Sequence, residues 1–309
     1  MTRPLTLTGH VPLPAHSGSG GFDHAAVHAA TGHVYVAHTA NSAIDVLDPA
    51  TQKHLYSIPG LTAVAGALVS DENQLVFSSN RGENTIGVFA PGPDPDVTKI
   101  AVGARPNGLA YDAKRRLVLA ANVGDPAVPH SCTLSMVDLD GRALSASIAV
   151  PGRTRWTVFD AEAGAFYVNI MEPSQIVVVD ARQPDRIART MPIPADGAHG
   201  LDFDPATRRL FCACDAGVLV TLDAGTGKVL NQGKLSGVPD VVWFNPKRRQ
   251  LYVAVGDPGV IDVVDTTTMK NVGTVATEKG THTTAFPPTG DSLIAFLPQT
   301  HRAAIYRHV

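Results

Sequence analysis

Apolar and polar residues alternate along this chain in short runs that recur about every 42 residues. One strongly apolar run follows a polar turn seven times, as HVYVAHT (33–39), QLVFSSN (74–80), RLVLAAN (116–122), AFYVNIM (165–171), RLFCACD (209–215), QLYVAVG (250–256) and SLIAFLP (292–298). Turns such as FDPATR and FNPKR, rich in Asp, Asn and Pro, precede these runs. Short apolar runs bounded by such turns predict β-strands.

Each of these seven strands has similar neighbours in the sequence. A strand of small residues precedes it, such as GLDFD before RLFCACD, and a strand that often ends in aspartate follows it, such as VLVTLD. A fourth strand completes six of the seven units. Four short strands per unit predict the blade of a β-propeller, and seven units predict a seven-bladed ring.

The seventh unit lacks a fourth strand before the sequence reaches Val309. The segment LTLTGHVPL (residues 5–13) alternates apolar and polar residues and belongs to no unit. We expect it to pair with the seventh unit as its outer strand, because that pairing covers a bare sheet edge and closes the ring. The sequence therefore predicts an all-β, seven-bladed propeller of four-stranded antiparallel blades, as a single domain over residues 1–309.

The second unit, QLVFSSNRGENTIGVF, resembles the repeat of the YVTN-type β-propellers, a family related to cytochrome d1-type and lactonase-like propellers. The residues that match this repeat best are Leu75, Val76, Phe77, Asn80, Gly82, Asn84, Thr85, Ile86 and Val88. The resemblance covers all seven units and implies the propeller fold. It implies no single activity, because such propellers include binding proteins, surface proteins, lyases, lactonases and cofactor-bearing domains.

Composition and charge narrow the class of function. The 309 residues are 44 % hydrophobic and 17 % charged, which is ordinary for a soluble globular protein. A net charge of -3 gives no overall positive field, so we expect neither nucleic acid nor membrane as a partner. The sequence shows no secretory signal and no stretch of the ~18 apolar residues that span a bilayer. We expect a cytoplasmic protein, unless an export leader has been removed.

The three cysteines cannot form a complete disulfide framework. Cys212 and Cys214 lie two apart in a predicted strand, so their side chains should point to the same face of the sheet. We expect them to be buried, reduced thiols.

One position near the start of each innermost strand recurs once per unit and is polar in six of the seven. These positions are Asp23, Ala65, Asn107, Arg155, His199, Asp240 and His282. Innermost strands of a propeller all begin around one end of the central channel, so these side chains should ring its mouth. The last three and Asp23 belong to consecutive blades, which should place two imidazoles and two carboxylates on one side.

This grouping predicts a site for a small, anionic molecule. We expect His199, His282 and Asp240 to be catalytic, because imidazole and carboxylate groups serve as acids and bases. The same three with Asp23 could instead hold a divalent transition metal, Zn, Fe, Mn or Ni. Arg155 should bind the anion through its planar guanidinium. The other ligand-binding candidates are Asn107, Trp156, His130 and Asn80.

The sequence leaves three classes of function open. It contains no serine nucleophile elbow, phosphate-binding loop, dinucleotide fingerprint or haem-attachment motif. The first class is a hydrolase or lyase, with or without a metal, acting on an anionic substrate at the channel mouth. The second is a propeller without catalytic activity that binds a ligand or metal at the same mouth. The third is a protein-interaction scaffold. We favour the first, because a scaffold gains nothing from polar groups in the mouth of its channel.

Overall fold

The computed structural model describes residues 5–18 and 20–308, which form 28 strands in seven four-stranded antiparallel sheets. Apart from one 3₁₀ turn at Thr39–Asn41, these residues form no helix, and so none that could cross a membrane. The seven sheets are the blades of a propeller, which confirms the predicted fold class.

The strands are numbered in chain order, and each blade is given from its innermost to its outermost strand. Blades 1 to 3 are β2 Phe22–Val27, β3 Val34–His38, β4 Ala43–Asp48, β5 Lys53–Ile58; β6 Val64–Ser70, β7 Leu75–Asn80, β8 Thr85–Phe89, β9 Thr98–Ala101; and β10 Pro106–Asp112, β11 Leu117–Asn122, β12 Thr133–Asp138, β13 Ala143–Ala149. Blades 4 and 5 are β14 Thr154–Asp160, β15 Ala165–Ile170, β16 Gln175–Asp180, β17 Arg189–Pro192; and β18 Ala198–Asp204, β19 Arg209–Cys214, β20 Val218–Asp223, β21 Val229–Lys234. Blades 6 and 7 are β22 Val238–Asn245, β23 Gln250–Asp257, β24 Val260–Asp265, β25 Lys270–Ala276; and β26 Thr284–Ala285, β27 Ser292–Leu297, β28 Arg302–Arg307, β1 Thr6–Pro12.

The N-terminal strand closes the ring as predicted. Strand β1 pairs antiparallel with β28, with Thr6 opposite Arg307 and Pro12 opposite Arg302. Its inward-facing Val11 is fully buried, whereas Leu7 is 46 % exposed. The first strand of the chain therefore completes the last blade.

The hydrophobic core is divided into seven clusters, one between each pair of neighbouring blades. The cluster between blades 4 and 5, for example, joins Tyr167 and Val178 to Cys212 and Cys214. The second strand of each blade is buried on both faces, which explains its continuous apolar run. Both cysteines are fully buried, as expected, and all three in the chain are free thiols.

The aspartates that end five of the third strands cap the turns that follow. Each accepts a hydrogen bond from a backbone N–H two or three residues later, as Asp48 does from Ala50 at 2.8 Å. The other four are Asp138, Asp180, Asp223 and Asp265. These periodic carboxylates are turn-formers and have no part in the site described next.

Candidate anion site at the channel mouth

Side chains reach the channel mouth from β-bulges in the innermost strands. In blades 1 to 6 the pairing of the innermost strand with its neighbour shifts register at the mouth position. In blade 4 the shift falls between Thr154 and Thr157, and in blade 5 between Ala198 and Gly200. A bulge bends the strand and re-aims a side chain, so Arg155 and His199 leave the regular ladder at these points.

Glycines beside the bulges let neighbouring blades approach closely. A Cβ atom on Gly200 would lie 2.0 Å from the carbonyl oxygen of Asp240, and one on Gly108 would lie 2.7 Å from that of Arg155. No side chain fits at these distances. In blades 3 and 5, glycine directly after the mouth residue therefore permits close packing against the next blade.

The mouth side chains line one polar cavity of about 110 Å³. Seven of its lining residues were predicted, and three were not. The predicted ones are Asp23, Asn107, Arg155, Trp156, His199, Asp240 and His282. The others are His24, Arg81 and Arg153. We call this cavity the channel mouth.

His199 lies between two carboxylates. Its Nδ1 is 2.7 Å from an oxygen of Asp215 and its Nε2 is 3.3 Å from an oxygen of Asp240. Burial favours the neutral ring, but the charge of Asp240 and the hydrogen bonds to both carboxylates outweigh it and raise the pKa of His199 to about 9. His199 is therefore an imidazolium at neutral pH, with both ring nitrogens donating.

The two carboxylates differ in their surroundings. Burial alone would raise the pKa of Asp240, but the charge of His199 and its hydrogen bond lower it, with smaller contributions from His282 and His24. Asp240 is therefore ionised throughout the physiological range. Asp215 follows β19 and also lies 3.6 Å from the guanidinium of Arg155.

The other two histidines at the mouth have different partners. The Nδ1–H group of His282 donates a hydrogen bond to the carbonyl oxygen of Gly280 at 2.8 Å. A neutral His282 therefore has its lone pair on Nε2, which has no partner among the described residues. Burial lowers the pKa of His24, and the charges of Arg81 and His199 lower it further against the opposing effect of Asp23 and Asp240. His24 is therefore neutral.

Three arginines surround the mouth. Arg81 pairs with Asp23 at 3.1 Å, and Arg155 is the partner of Asp215 already described. Arg153, on the rim, forms no ion pair with any carboxylate in the described part of the chain. Partial burial and the charges of Arg155, Arg81 and Arg105 lower the pKa of Arg153. The mutual repulsion of these like charges costs free energy.

The channel mouth carries an excess of positive charge. Its lining holds three guanidiniums and the His199 imidazolium against two carboxylates, and cations remain in excess when Asp215 is included. Three buried donors also lack a partner within the described part of the chain, namely Arg81 Nε, Arg155 Nε and Trp156 Nε1. Buried donors are almost always hydrogen-bonded in native proteins, so a ligand with acceptor oxygens suits this site.

The divalent metal predicted from the sequence stays a prediction, and most of the groups assigned to it have other partners in this structure. Among the described residues, no group of three or more His, Cys, Asp or Glu side chains could hold a metal ion. His199 is protonated and donates from both nitrogens, whereas a metal ligand needs a free lone pair. Asp23 pairs with Arg81. Ion pairing therefore engages three of the four groups that the prediction assigned to a metal, namely Asp23, His199 and Asp240.

Two predicted ligand-binding residues lie outside the mouth cavity. Asn80 is fully buried, and its amide nitrogen donates to Thr85 at 3.0 Å, so it serves the turn between β7 and β8. His130 is exposed in the loop 123–132 and lines an adjacent cavity of about 330 Å³. Arg153 lines both cavities and connects them.

Two of the three mouth residues that the period of the innermost strands missed have identifiable origins. His24 follows Asp23 at a bulge, where two consecutive side chains reach the channel. Arg81 comes from the loop after β7 of blade 2, whose own mouth position is Ala65. The sequence signal for Arg81 is a small residue at the mouth position of a blade, followed by an arginine in a later loop of the same blade that is long enough to reach the channel.

Fold and site together define a seven-bladed β-propeller with a polar, positively charged channel mouth. No model of a known protein family matches the chain, and no curated protein matches it significantly. The geometry of the site therefore carries the functional argument.

Proposed function

We propose that this protein binds a small organic anion, with the anionic group at the channel mouth. The observation that carries this proposal is the positive excess in a polar cavity whose buried Arg155 Nε and Trp156 Nε1 have no acceptor among the described residues. Charge-assisted hydrogen bonds from guanidinium to carboxylate or phosphate are among the strongest in proteins. An anionic group would satisfy these donors and offset the repulsion among the arginines.

The size of the mouth limits what it accepts. Its volume of about 110 Å³ is well below the ~300–1,000 Å³ of most small-molecule pockets. It has room for a carboxylate or phosphate group but not for a whole metabolite. The rest of the ligand would extend past Arg153 into the adjacent cavity beneath the loop 123–132.

Calorimetric titration with small anions tests this proposal. The panel contains phosphate, a monocarboxylate and a dicarboxylate, and each is titrated into the wild type, Arg155→Met and Arg248→Met. Loss of the Arg155 guanidinium should weaken binding at least about tenfold, as expected for a charge-assisted hydrogen bond. Arg248 is exposed on a hairpin turn, so its variant carries the same charge change and should bind like the wild type. Equal affinities for all three proteins would reject the proposal.

A second candidate function, a hydrolase or lyase acting on the bound anion, is favoured by one observation. The Nδ1–H bond to Gly280 leaves Nε2 of His282 free to accept a proton, while His199 is a positioned imidazolium. In such an enzyme His282 would take a proton from water or from the substrate, and His199 would stabilise the developing negative charge.

Turnover of anionic esters, lactones and hydroxy acids tests this second candidate. The variant His282→Gln should lose turnover at least about a hundredfold, the usual contribution of a general base, and still bind the anion. Turnover that survives in His282→Gln would exclude this base, and anion binding without any turnover would favour the non-catalytic alternative.

We also infer that the chain is a YVTN-type propeller of the cytoplasm. The repeat QLVFSSNRGENTIGVF supports the first inference. The second is supported by Cys212 and Cys214, whose sulfur atoms lie 3.9 Å apart as free thiols. Neighbouring free thiols are typical of reducing compartments.

A further inference from the structure

A second cavity, of about 400 Å³, occupies the opposite half of the central channel. We call it the lower channel; its walls are the later residues of the innermost strands of blades 1 to 6. His24 and Trp156 line both this cavity and the channel mouth. Their rings stack with centroids 4.1 Å apart and planes inclined by 8°, so the pair forms a floor between the two cavities.

The lower channel differs in chemistry from the channel mouth. Most of its wall is aliphatic, and the aromatic residues Tyr111, Trp156, Phe159 and Trp243 line it as well. Its volume lies within the range of pockets that bind small molecules, and apolar walls with a few polar groups are typical of such pockets.

The polar groups of the lower channel are acidic. Its lining contains the carboxylates of Asp71, Glu72 and Asp202, and its one basic side chain is the neutral His24. The oxygens of Asp202 accept hydrogen bonds from the backbone N–H groups of Phe203 at 2.8 Å and Phe244 at 2.6 Å. A carboxylate can accept about four hydrogen bonds, so Asp202 has acceptor capacity left.

Burial makes the charge of Asp202 costly. It raises the pKa of Asp202 to about 7, although the two backbone hydrogen bonds oppose this rise. A cation beside this carboxylate would offset that cost. Aromatic faces, such as those of Trp156 and Trp243, also attract organic cations.

We propose that the lower channel is a second ligand site, for a small organic cation with an apolar body. The ammonium group lies at Asp202 and the body packs against the tryptophans. Opposite charges thus mark the two ends of the channel, with an anion site above the His24–Trp156 floor and a cation site below it. The proposal of this cation site does not rest on the anion site proposed above, although His24 and Trp156 line both cavities.

Tryptophan fluorescence reads out this site directly, because Trp156 and Trp243 are the only tryptophans in the chain and both line the lower channel. Phenethylamine is titrated as the probe, with phenylpropanol and phenylpropionate as neutral and anionic analogues of similar size. The amine should change the fluorescence saturably and bind at least about tenfold more tightly than the alcohol, the order expected for one desolvated cation–π or ion-pair contact. Equal affinity of amine and alcohol, or no change with the amine, would overturn the proposal.

The variant Asp202→Asn tests whether the preference for the amine over the alcohol depends on the Asp202 carboxylate. Asparagine keeps the shape and one acceptor oxygen but loses the charge, so the amine should bind this variant no better than the alcohol. The matched control is Asp185→Asn, at an exposed position between β16 and β17, which should retain the full preference. An unchanged preference in a folded Asp202→Asn variant would overturn the assignment. If that variant does not fold, the affinities of the wild type for the amine and the alcohol decide whether the lower channel prefers a cation.

Discussion

His199 shows how the mouth keeps a positive charge at neutral pH. An isolated histidine is mostly neutral at pH 7, but Asp215 and Asp240 hold this ring as an imidazolium from either side. The pairing also fixes both ring nitrogens as donors. His199 therefore acts in the proposed site as a fixed cation, whereas Nε2 of His282 has no hydrogen-bond partner among the described residues.

The raised pKa of His199 predicts how stability depends on pH. Its pKa is about 9 in the folded protein and near 6.5 in the unfolded chain, so its stabilising effect is complete below pH 6.5 and is lost as pH rises through 9. The stability difference between wild type and His199→Gln should shrink between pH 7 and pH 10, by on the order of 3 kcal/mol. Urea unfolding of both proteins across this range measures it. A difference that does not vary with pH would show that His199 is neutral in the fold.

Residue positions at the mouth were predictable from the sequence, but their partners were not. The regular spacing of the innermost strands is enough to place Asp23, Arg155 and Asp240 around one opening. Asp215 and Arg81 come from loops after second strands, and loop conformation sets which charge each one meets. The sequence therefore did not predict that Asp23 and His199 have ion-pair partners in the fold.

At the scale of the element, β-bulges direct side chains of the innermost strands into the channel mouth. Glycines beside some of these bulges let neighbouring blades approach closely. Hydrophobic alternation predicted the strands well because it follows burial, but these bulges lie at the first residues of the innermost strands, where too few residues precede the shift to show a break in the alternation. The bulges were therefore not predicted. A polar residue followed by glycine at the start of an innermost strand marks two of the six bulges, at Asn107-Gly108 and His199-Gly200.

Gly200→Ala should destabilise the fold. The added Cβ would lie 2.0 Å from the carbonyl oxygen of Asp240 in the next blade, and backbone must move to relieve that contact. We expect a loss of about 3 kcal/mol, at the upper end for overpacking. The control is Gly256→Ala, where the nearest atom is 3.6 Å away and the glycine does not adopt a positive φ. Chemical denaturation compares them, and equal stabilities would mean that blades 5 and 6 are not in close contact here.

At the scale of the whole molecule, closure by β1 holds the ring of blades together. Val11 and Leu13 of the N-terminal segment join the cluster between blades 7 and 1, which also contains Phe22 next to the channel mouth. Closure was predictable because one blade lacked a strand and one alternating segment lacked a blade. Residues of the N-terminal segment and of the last blade thus pack together in the interface between blades 7 and 1.

Substitutions within β1 test this closure. Val11→Ala removes fully buried side-chain atoms and should cost about 2 kcal/mol of unfolding free energy. Leu7→Ala on the exposed side of the same strand should change stability by less than about 0.5 kcal/mol. Thermal denaturation of both variants provides the comparison. A negligible effect of Val11→Ala would show that the strand is not docked in solution.

A crystal structure of the protein grown with a saturating small carboxylate or phosphate tests the central claim most directly. We expect the anion to lie at the channel mouth, within hydrogen-bonding distance of the Arg155 guanidinium and beside His199. The two buried donors, Arg155 Nε and Trp156 Nε1, should have acceptors or bridging water in that structure. An anion bound only at surface arginines, with the mouth holding water and the His199 pairings unchanged, would contradict the account.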